Sequence, residues 1–152
     1  MTAVRRAEPA DARALARLLH DFNTEFDEPT PGPEVLTERI QRLLARDDAA
    51  ILVAGDDHPD GLALLTFRPG VWDPGPVTLL EELYVRPPLR NRGIGTELLH
   101  AAFALAREHG STTFEIQVDE EDVDAQRFYE RHGVKPVEPG REYRSFYYSR
   151  TL

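Results

Sequence analysis

Residues 77–95, with the sequence VTLLEELYVRPPLRNRGIG, carry the pattern that decides the fold. The stretch begins as an apolar run typical of a strand, passes through two prolines and ends in a loop that contains two glycines. The apolar spacing from Thr96 to His109 then predicts a helix, with Gly110 as its stop, and residues 112–118 predict another strand. Because a helix connects these two strands, we expect them to lie parallel in one sheet.

The segments on either side of this unit predict further helices and strands. Two amphipathic helices come first, and two apolar runs separated by a turn-rich segment then predict an antiparallel hairpin. The predicted elements outside the central unit are helices at 9–26, 34–46 and 124–132 and strands at 50–54, 62–67 and 141–150. This order predicts a mixed α+β class in which helices cover a largely antiparallel sheet.

Length and composition favour one domain. The chain has 152 residues, 41% of them apolar, so we expect a single domain over residues 1–152. It has no cysteine, which excludes disulfides, thiolate metal sites and a cysteine nucleophile. The five histidines show no metal-binding spacing with carboxylates, so no metal site is predicted. No apolar run could cross a membrane and the charged N-terminus does not resemble a signal peptide, so we expect a soluble, cytoplasmic protein.

The charge balance bears on the choice of partner. The 18 basic and 27 acidic residues leave a formal net charge of −9. Such a chain repels polyanions unless positive charge is concentrated locally, which disfavours nucleic acid and anionic membranes. Cationic amines are better suited as partners.

The glycine-containing loop is a candidate anion site. Gly93 and Gly95 lie where a strand ends and a helix begins, and the amides of a first helical turn lack helical acceptors. The helix dipole favours an anion there, and Arg90 and Arg92 could add forked donors. The spacing does not fit a dinucleotide-binding fingerprint, because Leu98 occupies a position that needs a small residue. A tight turn with exposed arginines is the alternative interpretation.

Glu81 and Glu82 are adjacent carboxylates inside an apolar strand. Because strand side chains alternate, we expect the two to face opposite sides of the sheet. A carboxylate on a packed or cleft-lining face could act as a base or pair with an ammonium group. A buried ion pair with an arginine is the alternative.

Tyr129 and the acidic run before its helix have two interpretations each. Ala125, Phe128 and Tyr129 share one helical face, which favours core packing, although a tyrosine hydroxyl can also donate a proton. The acidic run 119–124 is typical of a solvated segment, or it could form a cation-attracting rim.

Three stretches together resemble the GNAT-type N-acetyltransferases: Glu82–Pro87 (ELYVRP), Arg90–Gly95 (RNRGIG) and Asp124–Gly133 (DAQRFYERHG). The resemblance follows the order of elements along essentially the whole chain, and its specific part runs from Leu79 to Val134. It implies a GNAT-like fold with six to seven strands, a splayed parallel pair and about four helices. It also implies acetyl-CoA as the acetyl donor, bound between the splayed strands.

The resemblance implies roles for particular residues. Tyr129 would protonate the departing thiolate, and Glu81 or Glu82 would accept the proton of the substrate ammonium. The amide of Leu83 would hold the thioester carbonyl as it gains negative charge. The full set of implied donor-binding residues is Leu83, Tyr84, Val85, Arg90, Asn91, Arg92, Gly93, Ile94, Gly95 and Thr96.

Two departures from the family pattern accompany the resemblance. Asp122 stands where many members carry asparagine, and Val134 replaces a common phenylalanine.

The tandem carboxylates are also similar to those of spermidine/spermine and thialysine acetyltransferases. We therefore expect acetyl transfer to a small cationic amine, which could be a polyamine, a lysine-like compound or an aminoglycoside-like compound. A protein or peptide acceptor and a non-catalytic acyl-CoA sensor are the alternatives. The aromatic segment 141–150 would form a homodimer interface or cap the core.

Overall fold

A computed structural model describes residues 2–152 of the chain. The chain divides into two compact units, Met1–Ile116 and Gln117–Leu152, and each is described by itself. Whether these units form the single domain expected over residues 1–152 stays a prediction. Among the described residues, no helix is long and apolar enough to span a membrane.

The first unit is a five-stranded sheet with helices on it. Its strands are β1 (Val4–Arg6), β2 (Ala49–Ala54), β3 (Gly61–Arg68), β4 (Val77–Val85) and β5 (Thr113–Ile116), and its helices are α1 (Ala12–Glu25), α2 (Pro33–Leu44) and α3 (Ile94–Glu108), with short 3₁₀ turns at Pro9–Asp11 and Pro87–Leu89. The strand order is β1-β2-β3-β4-β5. Among the strands of the described residues only the β4–β5 pair is parallel, which confirms the predicted crossover.

The core lies on both faces of this sheet. Leu15 of α1 and Ile40 of α2 pack with Ile51 and Leu62 on one face. All six residues of β2 are buried, so the opposite face is covered as well. On that face α3 contacts β2, β3 and β4. Burial on both faces explains why β2 and β3 read as continuous apolar runs in the sequence.

The strand count differs from the six to seven strands expected. Within residues 2–152 the structure has five strands, and residues 141–150 form neither helix nor strand, so the predicted last strand is wrong. A strand needs a hydrogen-bonded neighbour as well as a suitable pattern, and the pattern alone does not supply one. The structure also contains a strand that was not predicted. β1 has three residues, which are too few to show the alternation of apolar and polar positions typical of a strand.

A bulge interrupts β4 at its two carboxylates. Leu65 of β3 pairs with Leu80, whereas the preceding Leu64 pairs with Glu82, so Glu81 is an extra residue. Pairing with β5 ends at the same point, since Leu80 opposite Ile116 is the last parallel pair. The five residues from Glu81 to Val85 therefore continue β4 beyond the end of its partner β5.

The second unit contains one helix, α4 (Val123–Arg131). Asp122 caps its N-terminus, because the Asp122 carboxylate accepts a hydrogen bond of 2.9 Å from the amide of Ala125. Gly133, with φ of 82°, follows the helix end in the left-handed conformation that glycine adopts readily. The chain then runs to Leu152 without further helix or strand.

Candidate functional site

The second half of β4 is an open strand edge. The amide of Arg86 donates to the carbonyl of Asp60, at 2.9 Å, on the side of β3. Backbone groups of alternate residues point to the same side of a strand, so Tyr84 faces β3 as well. Leu83 and Val85 therefore direct their N–H and C=O groups to the other side, past the end of β5. An extended ligand could pair with these groups as a strand would.

The bulge places both carboxylates on one face of the sheet. Glu82 lies opposite Leu64, whose side chain belongs to the core under α1 and α2. The Glu81 carboxylate accepts a hydrogen bond of 2.6 Å from the hydroxyl of Thr66, which is on the same face of β3 as Leu64. The expectation that the two glutamates face opposite sides was therefore wrong. The extra residue of the bulge breaks the alternation on which that expectation depended.

The two glutamates differ in their surroundings. Glu81 is exposed, whereas Glu82 is half-buried. Burial raises the pKa of the Glu82 carboxyl, and the nearby negative charge of Glu81 raises it further. A carboxylate whose pKa is raised holds a proton more tightly, so Glu82 is the better suited of the pair to accept a proton from an ammonium group.

The start of α3 presents unpaired backbone amides. Gly93 is the N-cap, in a left-handed conformation with φ of 86°, and no side chain caps the helix. The first helical hydrogen bond runs from the amide of Glu97 to the carbonyl of Gly93, at 3.0 Å. The amides of Ile94 and Gly95 precede this bond and have no acceptor in the helix. The helix begins at Ile94, two residues earlier than the spacing predicted.

The surroundings of this helix start suit an anion. A Cβ atom added to Gly93 would have no atom within 4 Å, so the space in front of the turn is open. Arg92 and Asn91 are exposed beside it, and Asn91 also has a positive φ, of 61°. Such a run of backbone amides at a helix N-terminus binds phosphate groups in many proteins. The residues present therefore fit a diphosphate-bearing ligand.

Arg90 has partners within the chain. Its guanidinium donates two hydrogen bonds to the carboxylate of Glu25, at 2.7 and 2.8 Å, and its Nε donates to the carbonyl of Val85 at 3.0 Å. The hydroxyl of Tyr84 donates to the same carboxylate at 2.9 Å. Glu25 is one acid among 27 and lies 65 residues from Arg90, so no sequence pattern marks it as a partner of Arg90.

This cluster shifts the pKa values of its members. The hydrogen bonds from Arg90 lower the pKa of the Glu25 carboxyl, and the Tyr84 hydroxyl acts in the same direction. Burial, followed by the bond to Glu25, raises the pKa of Tyr84 to about 12. Glu25 is therefore ionised and Tyr84 neutral near pH 7, so the hydrogen-bonding pattern holds at that pH.

Tyr129 lies on α4 in the second unit. It is the one residue of the helix that is buried, and its ring contacts that of Phe128 with centroids 5.2 Å apart. The amide of Val134 donates to the Tyr129 carbonyl at 3.0 Å. These contacts agree with the core-packing interpretation of the helical spacing, and a role for the hydroxyl as proton donor stays a prediction.

The acidic run before α4 is exposed at every carboxylate-bearing position. Its backbone has a structural role, because the side-chain Nε2 of Gln126 donates to the carbonyls of Asp119 and Glu120. Asp122, the departure from the family pattern, serves as the cap of the helix. The exposure favours the solvated interpretation of this run.

Comparisons with known proteins show the family to which the chain belongs. The Acetyltransferase (GNAT) family model matches residues 13–134. Aminoglycoside N(6')-acetyltransferase type 1 of Stenotrophomonas maltophilia is 31% identical over 139 residues, which are 89% of this chain and 87% of the relative. A crystal structure from Arthrobacter sp. FB24 has a TM-score of 0.91 and 51% identity, covering 100% of this chain and 97% of that chain.

A more distant structure shares the fold. The aminoglycoside acetyltransferase AAC(6')-Iy, in complex with a bisubstrate analogue of coenzyme A and acetylneamine, has a TM-score of 0.81 at 19% identity. The superposition covers 100% of this chain and 99% of that one. At this identity the likeness shows the fold alone.

The chain belongs to the GNAT family of N-acetyltransferases, because the family model matches most of its length and a relative above 30% identity covers nearly all of it. The resemblance found in the sequence is thereby confirmed. The protein is an acyltransferase, and acetyl-CoA is the acetyl donor of its reaction.

Proposed function

We propose that this enzyme transfers the acetyl group directly to a primary amine of a small cationic substrate, such as a polyamine, a lysine-like compound or an aminoglycoside-like compound. The observation that carries the proposal is the position of Glu81 and Glu82 on one face, at the point where β4 becomes an open edge. Two carboxylates there attract a cationic amine and offer an acceptor for its proton. The net charge of −9 and the naming of the Stenotrophomonas relative for aminoglycoside acetylation support the same class.

The donor would be held by backbone groups more than by side chains. Leu83 offers its N–H and C=O groups and Val85 its N–H group on the free edge of β4, while the Val85 carbonyl accepts from Arg90. The amides of Ile94 and Gly95, with the exposed guanidinium of Arg92, offer donors for the diphosphate. This arrangement is the reason to propose the residues from Leu83 to Val85 and from Arg90 to Thr96 as the donor site.

The chemical step needs few groups. The Leu83 amide would donate to the acetyl carbonyl oxygen as negative charge develops on it. Glu82 would accept a proton from the substrate ammonium, which frees the nitrogen to form its bond with the acetyl carbon. As the carbon–sulfur bond breaks, Tyr129 would give its hydroxyl proton to the sulfur, and the second proton that the nitrogen loses on becoming an amide would restore the Tyr129 hydroxyl. Holding amine and thioester together supplies much of the rate, so no covalent enzyme intermediate is required.

The test is thiol release from acetyl-CoA with a panel of polyamines, lysine analogues, aminoglycosides and short peptides. The proposal predicts release with at least one small cationic amine, and a product heavier by one acetyl group in mass spectrometry. Release with peptides alone would favour the alternative of a protein or peptide N-acetyltransferase. Coenzyme A binding without release for any acceptor would favour a non-catalytic acyl-CoA sensor.

We also propose that the chain forms a homodimer through the tail, residues 141–152. Its four aromatic side chains, Tyr143, Phe146, Tyr147 and Tyr148, are between 63% and 87% exposed. A cluster of exposed aromatics marks an interaction surface. The tail carries three arginines and one glutamate, which complements the acidic remainder of a second copy.

From composition, we propose a cytoplasmic location and no nucleic-acid or membrane partner.

A further inference from the structure

Glu25 occupies an unusual position for a carboxylate. It is the last residue of α1, and a negative charge at a helix C-terminus is disfavoured by the helix dipole. Both of its oxygens are nevertheless used, one by Arg90 alone and the other by Arg90 and Tyr84 together. The Glu25 side chain is only 28% exposed. Three hydrogen bonds therefore hold this carboxylate at a position that the helix dipole disfavours.

Arg90 connects this carboxylate to both halves of the proposed donor site. It is the first residue of the loop 90–95, whose other end supplies the amides at the start of α3. Its Nε also donates to the carbonyl of Val85, on the free edge of β4. The guanidinium also lies 5.4 Å from the centroid of the Tyr84 ring. The five-donor fork of arginine makes these contacts at once, which lysine could not do.

We propose that Glu25 is a positioning residue for the donor site: it orients Arg90, and Arg90 in turn fixes the Val85 carbonyl and the beginning of the loop 90–95. The inference rests on the proposed donor site. It gives Arg90 a different role from the direct phosphate contact expected from the sequence. An Arg90 that positions the loop and an Arg90 that contacts the phosphates predict different coenzyme A affinities when the Glu25 charge is removed.

The test is Glu25→Gln, with coenzyme A titrated by calorimetry and KM for acetyl-CoA measured on the amine acceptor found in the panel. The neutral amide cannot accept both guanidinium bonds, so Arg90 loses its orientation. We expect Kd for coenzyme A and KM for acetyl-CoA to rise about tenfold, with kcat and the acceptor KM within about twofold of wild type. If Arg90 instead bound the phosphates directly, loss of its ion pair with Glu25 would leave the affinity for coenzyme A unchanged or increase it. That result would overturn the inference.

A matched control separates positioning from stability. Arg46 and Asp48 form a similar two-bond pair, with both distances 2.6 Å, away from the donor site. Asp48→Asn removes a carboxylate partner of an arginine in the same way and leaves coenzyme A affinity unchanged. Equal loss of affinity in both variants would contradict the inference.

Two further variants keep the inference testable if Glu25→Gln unfolds. Arg90→Lys keeps the positive charge but loses the fork, so it should weaken coenzyme A binding as Glu25→Gln does. Tyr84→Phe removes one donor to Glu25 and leaves the Arg90 bonds, so affinity should fall less than threefold. Unchanged affinity in Arg90→Lys would contradict the inference. Failure of wild type to bind coenzyme A would contradict the proposed donor site instead.

Discussion

Replacement of Glu82 by glutamine removes the proposed proton acceptor while keeping the size of the side chain. Glu82 is half-buried opposite Leu64, so glutamine fills the same space. General-base catalysis contributes about 10²–10⁴-fold to a rate, so we expect kcat/KM for the amine to fall at least about 100-fold. The assay is thiol release at saturating acetyl-CoA, with coenzyme A binding as the check that the donor site is intact.

Glu81→Gln is the matched variant, because it removes the neighbouring charge and leaves Glu82 in place. Glu81 is exposed and bonded to Thr66, so we expect kcat/KM to change less than about fivefold. The pH profile is more informative. Activity rises with pH as Glu82 loses its proton, and the negative charge of Glu81 raises the pKa of Glu82. Removing that charge should therefore move the acidic limb of the profile to lower pH.

These two variants can refute the account of the carboxylate pair. A Glu82→Gln enzyme that keeps kcat/KM within about threefold of wild type would show that Glu82 is not the base. An acidic limb that stays in place in Glu81→Gln would show that the two carboxylates do not interact. A larger loss in Glu81→Gln than in Glu82→Gln would reverse their proposed roles.

Three other predictions concern the helix start, the cap of α4 and the tail. Gly93→Ala and Gly110→Ala both place a Cβ at positive φ with no atom within 4 Å, so each should lower the free energy of unfolding by about 1–2 kcal/mol. Only Gly93→Ala should also weaken coenzyme A binding, and equal binding by both variants would contradict the proposed anion site. Asp122→Ala should lower the free energy of unfolding by about 1 kcal/mol in urea denaturation, and Asp122→Asn should restore it, because asparagine also caps helices. Tyr147→Ser combined with Tyr148→Ser should convert a dimer into a monomer in light scattering, and a wild-type chain that is monomeric at high concentration would refute the proposed interface.

The central unit was predictable because its signals are local. The apolar run of β4, the glycines of the loop and the spacing of α3 each depend on residues close in sequence, and together they require a parallel crossover. The start of α3 differed by only two residues from the prediction. The site features that depend on this unit, the open amides and the free strand edge, could be inferred from the same pattern and the family resemblance.

The features that sequence reasoning missed depend on distant residues. The bulge at Glu81 is set by the register between β3 and β4, which the sequence of β4 does not specify by itself. The contact between Glu25 and Arg90 joins residues 65 positions apart, and no spacing rule connects them. The tail has the composition of a strand, but strand formation requires a partner that its sequence cannot provide.

Amide hydrogen exchange with and without coenzyme A tests whether the donor binds to the β4 edge and the start of α3. We expect the amides of Leu83 and Val85 on the β4 edge, and those of Ile94 and Gly95 at the helix start, to become more protected on binding. The amides of Tyr84 and Arg86, which face β3, should change little. Coenzyme A binding that leaves Leu83, Val85, Ile94 and Gly95 unprotected would contradict the proposed donor site.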